Sequence, residues 1–361
     1  MSASEPSVTP TALATPATSV TPTTPATPTL PTTPATPTMK AIQVGRPGGP
    51  DVLELVDLPR PSPGPGEALV RLAAAGVNYI DVYLRSGQYP NELPFVPGQE
   101  GAGTVVEVGP GVREVAVGDT VAWANLPGAY AEYALLRADR LVPVPDGLAP
   151  DLAAAALLQG MTAHYLCHDT YPVRAGDAVV VHAAAGGVGM LLTQFVRLRG
   201  GTVIGTASTA AKAAAARAAG AAEVVDYRPG ALLEAVRRHT GGLGAAAVFD
   251  GIGGPTFDES LAALRPRGVL AVYGQSGGAV PPFDPQRLNA GGSLYVTRPN
   301  LAHHVQDRAE LLRRGTAVLR LVRDGQLDVR VGQRFPLSGA ADAHAALEAR
   351  VTIAKTLLIC G

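Results

Sequence analysis

The chain of 361 residues carries a net charge of −1, with 29 basic against 30 acidic side chains, and 47% of its residues are hydrophobic. That balance, without any basic run, excludes an electrostatic footprint for nucleic acid or an anionic membrane surface, and no apolar stretch reaches the ~20 residues that span a bilayer. Two cysteines, Cys167 and Cys360, exclude a disulfide framework and a four-cysteine zinc lobe; they fit a reducing compartment, so a cytoplasmic location is expected.

Residues 1–38 are mostly Thr, Pro, Ala and Ser, with recurring Thr-Pro-Ala-Thr-Pro units and a single charge, Glu5. Such a segment buries too little apolar area to offset chain entropy, so a disordered tail is expected. It lacks the apolar core of a secretory signal and the arginines of a transit peptide. It is either a flexible extension or the result of a start assigned upstream of Met39.

A globular sequence begins at Met39. Strand-like alternation at 67–72, 103–109 and 118–123, with turns and no helix between, predicts a β-rich, partly barrel-like first domain over 39–160. Between these strands lies Gly76-Val77-Asn78-Tyr79-Ile80-Asp81-Val82-Tyr83-Leu84-Arg85-Ser86-Gly87-Gln88-Tyr89. On residue type alone Asn78 is a turn former, Asp81 a helix N-terminal charge, and Tyr79 and Tyr83 core aromatics. Further on, His164, Cys167 and His168 share one helical face, but an Ala- and Leu-rich helix there favours core packing over a metal site.

A second domain is expected over 161–300. The β-branched run Val179-Val180-Val181 feeds the small-residue turn Ala183-x-x-Gly186-Gly187-Val188-Gly189, then an apolar helical pattern over 191–198 and a second strand at 202–206. Glycines there let the backbone approach a pyrophosphate, and the first-turn N–H groups of the new helix meet the phosphates. In an NAD binder the second strand ends in Asp or Glu; here Ser208, Thr209 and Lys212 follow it, so no carboxylate repels a 2′-phosphate, and NADPH is expected. Ser208 and Thr209 also suit N-capping of the helix that follows. Strands at 223–227, 246–250, 268–273 and 292–297 continue the alternation with helices, which predicts an α/β fold with a Rossmann doubly wound parallel sheet. Tyr227, Gly251 and the 273–276 turn stand at carboxyl ends of strands, where ligand loops gather. Residues 301–361, with helices at 307–324 and 339–349 and a last strand at 355–359, are expected to return to the first domain and leave a cleft between the two. His182, His303 and His304 have no partner evident from sequence.

The 76–89 segment, Pro97-Gly98-Gln99-Glu100-Gly101-Ala102-Gly103, the 183–189 turn and Ser293-Leu294-Tyr295-Val296-Thr297-Arg298-Pro299 together resemble, in order, the blocks of zeta-crystallin-type quinone oxidoreductases of the medium-chain dehydrogenase/reductase superfamily. The resemblance covers residues 39–361. It implies a GroES-like β domain, NADPH in the cleft and a homodimer, with Asn78 and Tyr83 near the nicotinamide; the reaction expected is hydride transfer without metal to a quinone, with these two side chains as donors to the acceptor oxygen. It places Tyr79 and Asp81 near the nicotinamide, although for these two the structural role weighs equally. It also places Ser208, Lys212 and Tyr227 about the 2′-phosphate, and Thr162, Gly186, Gly187, Val188, Gly189, Gly251, Gly274, Ser276, Thr297 and Lys355 at other cofactor positions. An enal, enone or enoyl-thioester reductase is the alternative enzyme, and an NADPH-binding protein without turnover the alternative of another class. As a sheet edge, the apolar 294–296 segment would pair with its twofold mate.

Overall fold

The computed structural model describes residues 7–14 and 37–361. A unit Met1–Thr36 separates from a unit Pro37–Gly361. Of the first, residues 7–14 are exposed and form neither helix nor strand, and the rest of the expected tail lies outside the described residues.

The second unit opens with an antiparallel pair, β1 (Thr38–Val44) and β2 (Leu53–Pro59). β3 (Glu67–Val77) leads into the short helix α1 (Tyr79–Arg85), because Asn78 turns to an extended N-cap conformation and the Asp81 carboxylate accepts its backbone N–H at 2.9 Å. Four more strands follow, β4 (Glu100–Val108), β5 (Thr120–Ala124), β6 (Tyr133–Arg137) and β7 (Val142–Pro143), all joined antiparallel. The helix α2 (Pro150–Tyr165) starts with Pro at its first position and packs on β3, β4 and β5. Its fully buried run of alanines from Ala153 to Ala156 lets backbones approach on every side. The domain boundary expected between residues 160 and 161 falls inside this helix.

Beyond it lie β8 (Ala178–Val181), α3 (Gly187–Leu198), β9 (Thr202–Thr206), α4 (Ala210–Ala218), β10 (Glu223–Val225), α5 (Ala231–Thr240), β11 (Ala245–Asp250), α6 (Gly254–Ala263), β12 (Leu264–Val272), α7 (Gln286–Ala290) and β13 (Tyr295–Thr297). The six strands form one parallel sheet in the order β10-β9-β8-β11-β12-β13, which reverses direction between β8 and β11. That reversal opens a crevice outside the carboxyl ends of the strands. β13 starts later than the sequence predicts because Gly292 and Ser293 take left-handed φ of 103° and 60°.

The chain ends with α8 (Arg308–Arg323), β14 (Val331–Pro336), α9 (Ala340–Glu348) and β15 (Lys355–Ile359). β15 pairs antiparallel with β3, Thr356 opposite Val77, and carries β14 into the first sheet. The principal core joins both sheets: Ala74, Ala102 and Ala122 share a cluster with Val179, Val181 and Phe249 through α2.

Candidate active site

A cleft of about 670 Å³ lies at the reversal point. On its sheet side Ala183 takes a φ of +48°, Gly186 N-caps α3, and the N–H groups of Gly187, Val188 and Gly189 have no intrahelical acceptor. A Cβ on Gly189 would stand 2.8 Å from Ala184 Cα, so only glycine lets the helix start this close to β8. Beyond the ends of β9 and β10, Ser208, Lys212 and Tyr227 line the cleft together, and Thr209 caps α4 by accepting from Lys212 N–H at 3.2 Å. Tyr227 Oη accepts from the Thr206 hydroxyl at 2.9 Å and from Ala183 N–H at 3.3 Å. Lys212 Nζ donates to Arg350 O at 2.6 Å, and Arg350 Nη2 donates to Ser276 O at 3.1 Å. Burial, with the Arg350 charge beside it, holds the Lys212 ammonium below its ordinary pKa. Two cations so close favour an anion between them.

The other end is built from β3, α1 and β15. Asn78 Nδ2 donates to Gly76 O and to Glu100 Oε2, both at 3.1 Å, while its Oδ1 accepts from Lys355 Nζ at 3.0 Å and Gln159 Nε2 at 3.2 Å. Lys355 Nζ also donates to Glu100 Oε2 at 2.6 Å, a pair 1% and 0% exposed. Both amide protons of Asn78 are therefore engaged inside the protein, so in this arrangement the side chain, although it lines the cleft, has no free proton for the acceptor oxygen it was expected to serve. Lys355, expected at the cofactor, is locked behind Asn78 and does not line the cleft. Asp81 does not reach it either; it is fully buried and accepts from Asn78 N–H, Gln99 N–H and the Tyr130 hydroxyl. Burial pushes its carboxyl up to about 7. Thr297 stands in β13 outside the lining, which its neighbour Arg298 enters.

Tyr83 is placed differently. Its Oη accepts from Gln275 N–H at 3.2 Å, which leaves its own proton free, and burial pushes the phenol up to about 12. Its ring packs against Tyr79 and Tyr89, with centroids 6.1 and 5.1 Å away, and Tyr79 Oη donates to Leu347 O at 3.0 Å. Thr162, Gly251, Gly274 and Ser276 complete the expected lining. Sequence reasoning missed Gln159, Arg298 and Arg350, which no local pattern distinguishes from ordinary helix and loop residues.

Among the described residues no group of three or more His, Cys, Asp or Glu is arranged to hold a metal. His164 and His168 stack at 3.9 Å, Arg314 donates to His164 Nδ1 at 2.9 Å, and burial pushes the Cys167 thiol up to about 12. No helix of the described residues is long and apolar enough to cross a membrane.

Comparison with known proteins brings two family models, an alcohol dehydrogenase GroES-like domain over residues 64–146 and a zinc-binding dehydrogenase over 187–310. A quinone oxidoreductase of Pseudomonas aeruginosa is 41% identical over 322 residues, 89% of this chain and 99% of the relative. A 2-haloacrylate reductase of a Burkholderia species is also 41% identical, over 88% of this chain and 98% of its own length. A solved mycobacterial structure described as complexed with NADPH superposes with a TM-score of 0.86 at 49% identity, over 89% of this chain and 99% of that one.

Proposed function

The chain belongs to the quinone oxidoreductase family of the medium-chain dehydrogenase/reductase superfamily, and from that premise we propose that its cleft binds NADPH and reduces a quinone without a catalytic metal. One observation carries the reading: a single cleft joins the Ser208, Lys212, Tyr227 and Arg350 corner, past the open amides of α3, to the free hydroxyl proton of Tyr83. The corner would hold the 2′-phosphate, with two cations and two hydroxyls for its oxygens. The first turn of α3 would take the pyrophosphate.

Bound NADPH supplies a hydride, and with one proton the two electrons convert a quinone to its hydroquinone and leave NADP⁺. Tyr83 donates its proton in a hydrogen bond to the acceptor oxygen as negative charge grows there. Tyr79 and Tyr89 flank it. The Lys355, Glu100 and Gln159 bonds fix Asn78, and through it the wall against which the reacting ring is oriented.

Following NADPH oxidation with a naphthoquinone series tests the assignment, and turnover of 2-alkenals in preference to quinones would overturn it. The similarity to a 2-haloacrylate reductase favours one second reading, reduction of an activated C=C bond by the same hydride geometry. The proposal also includes a homodimer joined along β13, the outermost strand of its sheet, and a cytoplasmic location, which suits the two free cysteines.

A further inference from the structure

The proposed coenzyme accounts for one cationic corner of the cleft, and Arg298 adds another cation to the lining. Arg298 follows β13 and lines the cleft with Tyr83, Tyr89 and Tyr165. Its Nη2 donates to Tyr89 Oη at 3.3 Å. Burial raises the Tyr83 and Tyr165 phenols, and the Arg298 charge acts against that rise at both, so the guanidinium stands within electrostatic reach of each.

Arg298 is also short of a counter-charge. Arg298 is exposed and, like Arg140, Arg308 and Arg350, has no carboxylate within ion-pair distance among the described residues, while Arg85, Arg265 and Arg314 each hold one. The cleft-lining carboxylate Glu259 comes from α6 and accepts from Gly230 N–H at 3.1 Å. Two further groups of the same lining have donors to spare. Tyr83 keeps a free proton, and Asn300 uses its side-chain oxygen on Ala302 N–H at 3.0 Å, which leaves its amide protons. A guanidinium offers five N–H donors in a fork that matches a carboxylate or sulfonate, and here one is engaged.

We propose that Arg298 is a specificity-determining residue that receives an anionic group on the electron acceptor, so that the preferred substrates are quinones bearing a carboxylate or sulfonate and α,β-unsaturated carboxylates. This rests on the reductase reading above. An unsaturated carboxylate is a poor hydride acceptor because a second negative charge develops on it. When hydride adds to its β-carbon, the C=C pair moves toward the carboxylate, and a solvent proton then adds at the α-carbon, giving the saturated acid and NADP⁺. A guanidinium paired with the carboxylate offsets the added charge where it grows. On a sulfonated quinone the same contact aids binding and leaves the chemistry unchanged.

The test compares wild type, Arg298→Gln and Arg298→Lys on matched acceptors: 1,2-naphthoquinone-4-sulfonate against 1,2-naphthoquinone, and 2-chloroacrylate against its methyl ester. Arg298→Gln is expected to raise KM for the charged member of each pair about tenfold and to leave the neutral member within about twofold. Arg298→Lys should recover most of the loss, and raising the ionic strength should narrow the wild-type preference. Equal losses on charged and neutral acceptors, or no loss on either, would overturn the proposal. Should no quinone or alkene be turned over, the reductase reading itself falls. Titration of the sulfonated quinone into the NADP⁺-loaded protein, followed by difference absorbance, decides the arginine's role without turnover: a weakening of about tenfold in Arg298→Gln supports it, and unchanged affinity refutes it.

Discussion

Lys212 and Arg350 are held together by a backbone bond from one to the other, so the corner keeps its positive charge in place whether or not an anion arrives. Placing two cations side by side costs free energy that a phosphate between them recovers. Lys212→Ala is therefore expected to raise KM for NADPH about tenfold, with kcat and the KM for NADH unchanged, in steady-state assays with both coenzymes. A loss shared equally by NADH would refute the 2′-phosphate role. Lys355 obeys the opposite logic, because its partner lies inside the protein. Lys355→Met leaves Glu100 charged and unpaired at full burial, a change that costs about 3–5 kcal/mol. Thermal unfolding should register this as a clear fall in Tm. The double variant Lys355→Met with Glu100→Gln should recover part of it, since no bare charge is left.

At the scale of elements, α1 matters because it carries Tyr79 and Tyr83 into the cleft, and Asp81 fixes where it starts. Three donors favour the ionised Asp81 carboxylate, but burial outweighs them and raises it to about 7. An unfolded Asp titrates near ~3.9, so between about pH 4 and about pH 7 the native chain holds a proton that the unfolded chain has released. Stability from this group is full below that window, falls as pH rises through it, and is constant above. Denaturant curves at stepped pH should show wild type losing stability relative to Asp81→Asn across the window; parallel profiles would assign the titration elsewhere. The parallel half of the fold was legible because its elements are written locally. The second strand was read at 202–206 and is Thr202–Thr206, the last at 355–359 and is Lys355–Ile359, and Asp307 and Asp324 cap α8 at both ends. The β1–β2 pair, the bridging role of α2 and the entry of Arg298 and Arg350 into the cleft were not legible. The helix and the two arginines depend on partners far away in sequence, and an alanine-rich helix or one arginine among many carries no local mark of them; β1 and β2 are near neighbours, Val44 opposite Leu53, but β2 is mostly exposed and carries no run of buried apolar residues. Asn78 was read as a donor for the same reason: only the folded arrangement commits both its amide protons to Gly76 and Glu100.

For the whole molecule, the unresolved demand is the outer edge of the parallel sheet. β13 pairs with β12 along Tyr295, Val296 and Thr297, and its other side has no strand beside it among the described residues. Tyr295 there is 60% exposed, a large aromatic on a short open edge. Open edges recruit other strands unless charge, proline or a covering element blocks them, and β13 itself carries none of these devices. A twofold axis beside β13 would pair the edge with itself, because a self-complementary patch closes in a dimer and leaves no edge for further growth. Light scattering at micromolar concentration should then give twice the chain mass. Tyr295→Lys puts a charge on that edge in each copy and should shift the mass to that of one chain, while NADPH binding persists, since the cleft is lined from within a single chain. A wild-type mass equal to one chain, or a dimer indifferent to Tyr295→Lys, would remove β13 as the joining edge.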